Sequence, residues 1–446
     1  MAFFNTFDQV IAFMESYMNL ERRTGDYSVR TYRIDRMTSI LKALGNPQCA
    51  YKTIHVAGSK GKGSTATLMA KGIEALGFKT GLYLSPHVND YRERFSLAGR
   101  FVDDADLIAT GNALAQGLEG FSFEGQMGCD CITTFELYTS FAFLLFKRLG
   151  CDWAVIETGL GGRLDATNIL LPQASVLTPI ELEHTEILGH TIALIAGEKA
   201  KIIKPHVPCF IAYQKQEARE VFAQEAKVQS SKAHFLDTEV AAFEASLDRK
   251  DGRVVQKAHV KYSDGYEVDA SLSMLGKVQA QNFALAVLTL RSLGIWDEKA
   301  GLLAMEQASM PARLSTVSYK GHDIWFDGAH TAVSMANLAD FYKELYPHHR
   351  GAVIFGSVAG KDHEHMAESI VADFDRIVVA RPGTFKKSDP EQLYYLVKSK
   401  ARKSTKVFLE IEPRQALDRA LSLLEEGEPL LVTGSFYMAG AIEAIL

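Results

Sequence analysis

From residue 6 to 45 apolar side chains recur at helical spacing, first Phe7, Val10, Ile11, Phe13 and Met14, then Ile34, Met37, Ile40, Leu41 and Leu44. The Arg- and Tyr-rich stretch from Arg22 to Arg36 between them predicts partial loop. The period then changes. Lys52-Thr53-Ile54-His55-Val56 is a β-branched run that predicts a buried strand, and Ala66 to Leu76 predicts a helix in which Gly72 is the one strong breaker. A second strand, Thr80 to Leu84, runs into Ser85-Pro86-His87 and the charged segment Asp90 to Arg94. Helices are predicted over Asp103 to Leu118 and Phe135 to Leu149, and Thr133-Thr134-Phe135-Glu136 has the spacing of a capping box.

Strands Trp153 to Glu157 and Ala174 to Thr178, with a helix from Thr191 to Lys201, continue the alternation to about residue 237. Short alternating runs between 240 and 275, such as Ala258-His259-Val260-Lys261-Tyr262, predict an antiparallel edge. Helices follow over Ala280 to Leu293 and Glu298 to Ala308. The rhythm restarts with strands at Ile324 to Phe326, Ala352 to Phe355, Arg376 to Ala380, Lys406 to Leu409 and Leu430 to Thr433. Strands alternating with helices predict an α/β fold with mostly parallel sheets covered on both faces. With 446 residues, the chain exceeds one ordinary core. The boundary is placed between about Ile295 and Pro311, giving domains 1–296 and 311–446, and clefts between domains are common ligand sites.

The candidate chemistry begins after the first strand, in Gly58-Ser59-Lys60-Gly61-Lys62-Gly63-Ser64-Thr65. A strand, a glycine-rich turn and a helix N-terminus together cradle phosphate, because backbone N–H groups reach its oxygens unobstructed and the helix end adds partial positive charge. Lys62 can reach the β- and γ-phosphates, and Ser64 or Thr65 can offer a hydroxyl to phosphate or Mg²⁺. The loop is shorter than the usual G-x-x-x-x-G-K-[ST], with a glycine after the lysine. The bland alternative is a glycine-rich turn with a surface lysine. The stronger reading is a site for a nucleoside triphosphate.

Charge narrows the partners. A net charge of −6 lacks the basic surplus of a nucleic-acid binder. No apolar run is long enough to span a bilayer, and the N-terminus has no secretory pattern, so a cytoplasmic protein is expected. The five cysteines, Cys49, Cys129, Cys131, Cys151 and Cys209, have no zinc spacing and read as reduced thiols.

Glu157 ends a strand that follows the phosphate-loop strand, where an acid is either solvated or beside Mg²⁺. Ser85 and His87 follow a strand and could share that edge. His184 follows the Ala174–Glu183 strand and loop, and a lone histidine is more often structural. Lys199 at a helix C-terminus ordinarily complements the dipole. Buried beside a metal, it could instead react with CO₂ to give a carbamate ligand for Mg²⁺.

Together these motifs resemble the folylpolyglutamate synthase/dihydrofolate synthase family of the Mur ligase superfamily. The resemblance runs from His55–Ser64 through Ser85-Pro86-His87, Thr134-Phe135-Glu136, the long run Glu157 to Asn168, Leu188-Gly189-His190-Thr191 and Glu198-Lys199-Ala200. It continues to Asp327-Gly328-Ala329-His330 and Gly434-Ser435, covering nearly the whole chain. It implies a P-loop ATPase domain and a smaller Rossmann-like C-terminal domain with ATP between them. It also implies Ser85, Glu157, His184 and carbamylated Lys199 as Mg²⁺ ligands, with ATP held by Ser59 to Thr65, Asn282, Arg313 and Asp327. His330 would lie near the phosphates, and the pterin near Asp35, Arg36, Thr134, Phe135, Glu136, Leu164, Asp165 and Ala166. Glu136 has a second reading, as nothing more than the capping-box partner of Thr133.

The implied reaction adds L-glutamate to dihydropteroate and to reduced folates, using ATP and Mg²⁺ through an acyl phosphate, in a monomer. Lys62 and Lys199 are its catalytic lysines, and His330 is a possible helper in removing the amine proton. The chain departs from the family pattern at Ser59-Lys60 for Thr-Asn, Glu183 for Asp, Lys201 and Ala312 for Gly, and Thr331-Ala332 for Asn-Pro. Rivals are a dedicated folylpolyglutamate synthase, a Mur-type ligase for another carboxylate, a nucleotide switch and an inactive relative. No guanine-reading Asn/Thr-Lys-x-Asp motif supports a switch, and Lys62, Ser85, Glu157, His184 and Lys199 are all present.

Overall fold

The computed structural model describes residues 3–20, 33–123, 132–250, 253–347, 351–383 and 387–446. The chain forms two compact units, Met1–Ala308 and Ser309–Leu446. Most of the stretch from Arg22 to Arg36 lies outside the described residues, as do Cys129 and Cys131. Cys49, Cys151 and Cys209 are free thiols. No helix among the described residues is long and apolar enough to cross a membrane.

The first unit is built on a seven-stranded sheet. Its strands are β1 (Lys52–Ala57), β2 (Thr80–Tyr83), β3 (Phe95–Leu97), β4 (Trp153–Glu157), β5 (Ala174–Leu177), β6 (Cys209–Ile211) and β7 (Ala233–Phe235). The order is β3-β2-β4-β1-β5-β6-β7, parallel except for β3 against β2. β1 is central because Thr53 to Ala57 are all buried, as a strand covered on both faces requires. The register sets Val56 beside Glu157 on one side and beside Val176 on the other. The phosphate loop and the acid therefore leave the same sheet edge together.

An aromatic core that includes Tyr83, Phe95, Phe141, Phe146 and Ile156 fills one layer, under helices Phe7–Glu15, Asp104–Gly117 and Thr134–Arg148. Fully burying a phenylalanine such as Phe141 contributes about 1.5–3 kcal/mol. The helix after the phosphate loop, Lys62–Glu74, begins earlier than the apolar pattern predicts, because Lys62 to Thr65 carry no hydrophobic signal. It lies against β2 and β4 and is covered by helices Lys277–Ser292 and Glu298–Glu306.

The segment expected as an antiparallel edge is instead a separate three-stranded sheet. Its strands are β8 (Val240–Lys250), β9 (Arg253–Tyr262) and β10 (Glu267–Leu272), ordered β10-β9-β8. Alternation correctly marks one-sided burial; that face rests on helix Lys277–Ser292, where the Tyr262 hydroxyl donates to the Ala284 carbonyl at 2.8 Å.

The second unit carries a six-stranded sheet of β11 (Arg313–Tyr319), β12 (His322–Asp327), β13 (Ala352–Phe355), β14 (Arg376–Val379), β15 (Lys406–Leu409) and β16 (Leu430–Thr433). The order is β11-β12-β16-β13-β14-β15, with only β11 antiparallel. The pattern gave no sign of β11, whose residues are half-exposed or exposed. Ala312 sits in the left-handed region at φ 51°, explaining why glycine is usual there. Thr331 caps helix Ala332–Leu345, so Thr-Ala does what Asn-Pro would do at N-cap and N1.

A buried polar chain fastens β1 to the segment after β4. His55, fully buried, meets the Thr167 hydroxyl through Nε2 at 2.8 Å, and that hydroxyl donates to Asp165 Oδ1 at 2.5 Å. Because the Thr167 proton is used on Asp165, His55 Nε2 must carry the N–H, leaving Nδ1 the unprotonated nitrogen, buried and without a hydrogen-bond partner. Burial pushes the imidazole down to about 3, with the Lys204 charge adding to the effect. The unfolded chain therefore binds a proton that the folded chain refuses, so this stability is full above about pH 6.5 and is lost as pH falls toward 3. His55 alone should remove roughly 3 kcal/mol between pH 7 and 4.5. Urea titrations of wild type and His55→Gln should show a shallower acid slope in the variant; parallel slopes would contradict this.

Candidate active site

The phosphate loop leaves β1 at Gly58 and enters its helix at Gly61, whose φ of 83° lies in the left-handed region. Any Cβ at Gly61 would also come within 2.6 Å of Asn282 Oδ1, so the buried Asn282 packs directly on the turn. The loop is tied across to the end of β5: Ser59 N–H and Lys60 N–H donate to the Pro179 carbonyl at 2.9 and 3.2 Å. The Ser59 hydroxyl donates to the Glu181 carbonyl at 3.2 Å. Ser64 and Thr65 are buried at the first turn of the helix; the Thr65 N–H donates to the Gly61 carbonyl at 2.9 Å, so the N–H groups left for an anion are those of the residues before it.

Glu157, 4% exposed, stands beside this turn at the end of β4. Lys62 Nζ approaches its Oε1 at 3.7 Å, and the Ser85 N–H donates to its Oε2 at 3.1 Å. The peptide bond between Ser85 and Pro86 is cis. His87 has a structural partner, since Arg94 Nε donates to its Nδ1 at 2.8 Å.

Lys199 is 2% exposed; its Nζ donates to the Gly58 carbonyl at 2.7 Å and pairs with Glu183 Oε1 at 3.1 Å. Burial drives its pKa down to about 8; Glu183 opposes that shift and Lys62 adds to it. Burial alone would raise Glu183, but the charges of Lys199, Lys62 and His184 outweigh it and hold its pKa at about 2. Glu183 is thus the acid that meets Lys199, a contact the sequence marks only as a departure from Asp. Its neighbour His184 is exposed and held at φ 47°, a strained conformation for a non-glycine residue.

The segment after Glu157 docks onto the Lys199 helix, Ile192–Ala200. A Cβ on Gly162 would fall 2.7 Å from the Glu198 carbonyl oxygen and 3.0 Å from Lys199 Cα, so only glycine permits this approach. Arg163 N–H donates to the Glu198 carbonyl at 2.8 Å. Lys201, where glycine is usual, has φ −70° and pairs with Glu225 at 2.6 Å, so nothing there requires glycine.

The residues expected around a pterin divide. Asp165 is buried, its carboxylate turned into its own loop, accepting from Leu160 N–H at 2.8 Å and Thr167 N–H at 3.0 Å. Glu136 is also occupied. Its Oε2 closes the capping box with Thr133, and its Oε1 takes Arg36 Nε at 2.5 Å in a pair about 5% exposed. The capping-box reading of Glu136 therefore holds, with its other carboxylate oxygen taken by Arg36. Asp35 pairs with Arg33, and the Thr134 hydroxyl donates to the Tyr17 carbonyl at 3.2 Å. Phe135 lies over Gly159, while Leu164 is half-exposed and Ala166 buried.

In the second unit Arg313 and Asp327 are register partners on β11 and β12. Asp327 accepts from Ala329 N–H at 2.8 Å and Leu314 N–H at 3.2 Å, and the Arg313 guanidinium stacks 4.5 Å from the Phe436 ring. His330 Nδ1 contacts the Gly328 carbonyl at 2.7 Å, which fixes the proton on Nδ1 and makes Nε2 the lone-pair nitrogen of the neutral ring.

The donor set fits Mg²⁺. Among the described residues no group of three or more His, Cys, Asp or Glu side chains is gathered for a metal. Mg²⁺ does not need such a cage, since it is usually held by one or two carboxylates with substrate phosphates and water. Glu157 supplies a buried hard oxygen, and the buried Thr65 and Thr158 hydroxyl oxygens beside Ser64 and Glu157 in sequence have no hydrogen-bond partner.

Residues 107–290 match the Mur ligase middle domain and residues 312–436 the Mur ligase glutamate ligase domain. The chain is 32% identical over 451 residues to a folylpolyglutamate synthase from Lacticaseibacillus casei, covering 99% of this chain and 98% of that one. It is 30% identical to a dihydrofolate synthase/folylpolyglutamate synthase from Bacillus subtilis (strain 168), covering 92% and 94%. The structure of Mycobacterium tuberculosis folylpolyglutamate synthase complexed with ADP superposes at a TM-score of 0.85, with 27% identity and 98% of each chain covered. An alignment that spans both units, at this identity, means that the chain belongs to the folylpolyglutamate synthase/dihydrofolate synthase family of Mur ligases.

Proposed function

We propose that the protein is an ATP-dependent ligase that joins the amine of L-glutamate to the carboxylate of dihydropteroate and of reduced folates. The observation that carries this reading is the convergence of Lys62, Glu157 and the Lys199–Glu183 pair on the Gly58–Ser64 loop. A carboxylate is a poor acyl donor. Transfer of the γ-phosphoryl group of ATP to one of its oxygens gives an acyl phosphate, the glutamate amine attacks the acyl carbon, and the tetrahedral species expels phosphate. Phosphoryl transfer is assisted mainly by positioning and charge, which the loop amides and Lys62 provide. Mg²⁺ held by Glu157 and Ser85, with His184 nearby in sequence to Glu183, would neutralise phosphate charge. Asn282, against the loop turn, and the Arg313–Asp327 pair are proposed to hold ATP. His330, with its lone pair on Nε2, is proposed to take the proton that the amine loses.

Lys199 is proposed to add to CO₂ through Nζ, losing one proton and forming a carbamate that supplies an oxygen to the metal. Its burial and lowered pKa favour the neutral amine that this addition needs. ¹³C-bicarbonate should give a carbamate carbon resonance in wild type that is absent in Lys199→Ala. A fully active enzyme without that resonance would contradict the assignment.

One observation favours a narrower alternative, a dedicated folylpolyglutamate synthase. Both carboxylate oxygens of Glu136 are engaged by Thr133 and Arg36, leaving fewer polar groups to read a pterin placed close to the phosphate loop. Purified protein given ATP, Mg²⁺ and glutamate should extend both dihydropteroate and tetrahydrofolate by one glutamate mass or more. Extension of tetrahydrofolate alone would establish the narrower activity, and extension of neither would refute the proposal.

A further inference from the structure

The hydrogen bonds around the phosphate loop form a circuit that begins on β1 and returns to the residue that follows it. His55 on β1 reaches Thr167, which reaches Asp165, whose other oxygen holds the Leu160 N–H. The same loop runs through Gly162 and Arg163, which lie on the backbone of Glu198 and Lys199. Asn168 completes the docking by donating through Nδ2 to the Arg163 and Lys201 carbonyls at 3.2 and 3.3 Å. Lys199 then returns to the Gly58 carbonyl, next to the end of β1. His55 is the link of this circuit that lies on β1 itself, and its ring bonds Thr167, which is not among the groups proposed to hold ATP or metal.

We propose that His55 is a positioning residue for ligation, acting through Thr167 to set the Gly159–Asn168 loop against Lys199. The proposal rests on the ligase reading above. Its physical basis is the direction of the protons: Nε2–H donates to Thr167, freeing the Thr167 hydroxyl proton for Asp165. The buried Asp165 carboxylate accepts from the Leu160 N–H, the Thr167 N–H and the Thr167 hydroxyl, so it depends on these donors being correctly aimed. Without the histidine N–H, the Thr167 hydroxyl is left short of a donor, and the loop loses its fixed aim. The phosphate loop itself has separate ties, to Pro179, Glu181 and Asn282, so nucleotide binding is insulated from the change. The loop carries Leu164 and Ala166, which the family resemblance implies as folate contacts, so the loss should appear in the use of folate.

Wild type, His55→Leu, His55→Gln and Thr167→Val are compared with tetrahydrofolate varied at saturating ATP, alongside the Kd of a non-hydrolysable ATP analogue. Glutamine can place an amide N–H where Nε2–H stands. His55→Leu and Thr167→Val should lower kcat/KM for the folate on the order of tenfold or more while leaving the analogue Kd unchanged. His55→Gln should recover most of the loss. Amide hydrogen exchange over residues 159–168 should rise in the Leu and Val variants and not in Gln. Unchanged kinetics and exchange in Thr167→Val, a Gln variant no better than Leu, or a Kd that weakens in step with kcat/KM would each overturn the role. If His55→Leu fails to fold, Thr167→Val and His55→Gln carry the same decision. Hydrogen exchange needs no substrate, so a wild type that ligates nothing would refute the ligase reading while leaving His55 to be decided by exchange.

Discussion

A lysine with its ammonium buried beside a phosphate loop must be paired, and much of the first unit is arranged by that requirement. Stripping an unpaired charge of water costs several kcal/mol or more. Lys199 meets the demand with the Gly58 carbonyl and the Glu183 carboxylate. Those contacts bring together the end of β1, the segment after β5 and the end of the Ile192–Ala200 helix. Gly162 then allows the loop after β4 to close over the same helix, and Glu157 leaves that strand facing Lys62. The electrostatic result is a loop lined by lysines and amides with acids on its margin. Such a place suits a polyphosphate, whose charge Lys62 and the loop amides would meet.

The parallel sheets were legible because their strands are continuous apolar runs bounded by polar turns. Trp153–Glu157, Ala352–Phe355, Lys406–Leu409 and Leu430–Thr433 fall where the pattern places them. The start of helix Thr134–Arg148 was legible too, since a capping box is a local device. β3, β6 and β7 are each too short to show a period, and β11 lacks buried residues to reveal one. The β8–β10 sheet shows why alternation alone misleads: it reports one-sided burial, while the sheet a strand joins is decided by distant partners.

The site was legible in its residue types and not in its contacts. Lys62, Glu157, Ser85 and Lys199 stand out by motif, but the pairing of Lys199 with Glu183 joins residues from different turns of the chain. Asp165 and Glu136, which the resemblance places near the pterin, each also have hydrogen-bond or ion-pair partners inside the protein that no local pattern reveals. His55 left one signal, a polar side chain inside a strand otherwise fit for complete burial. The departures from the family pattern have local physical accounts: Thr331 caps its helix, Lys201 has an ordinary φ and an acidic partner, and Ala312 accepts a left-handed φ.

In the proposed reaction the loop between β1 and its helix positions ATP so that its γ-phosphoryl group passes to a carboxylate. The most direct measurement uses tetrahydrofolate labelled with ¹⁸O in its terminal carboxylate, with ATP, Mg²⁺ and glutamate. An acyl phosphate bonds one carboxylate oxygen to phosphorus, and collapse of the tetrahedral species releases that oxygen with phosphate. The inorganic phosphate formed should therefore carry one ¹⁸O per amide made. Amide formation with unlabelled phosphate would contradict the account.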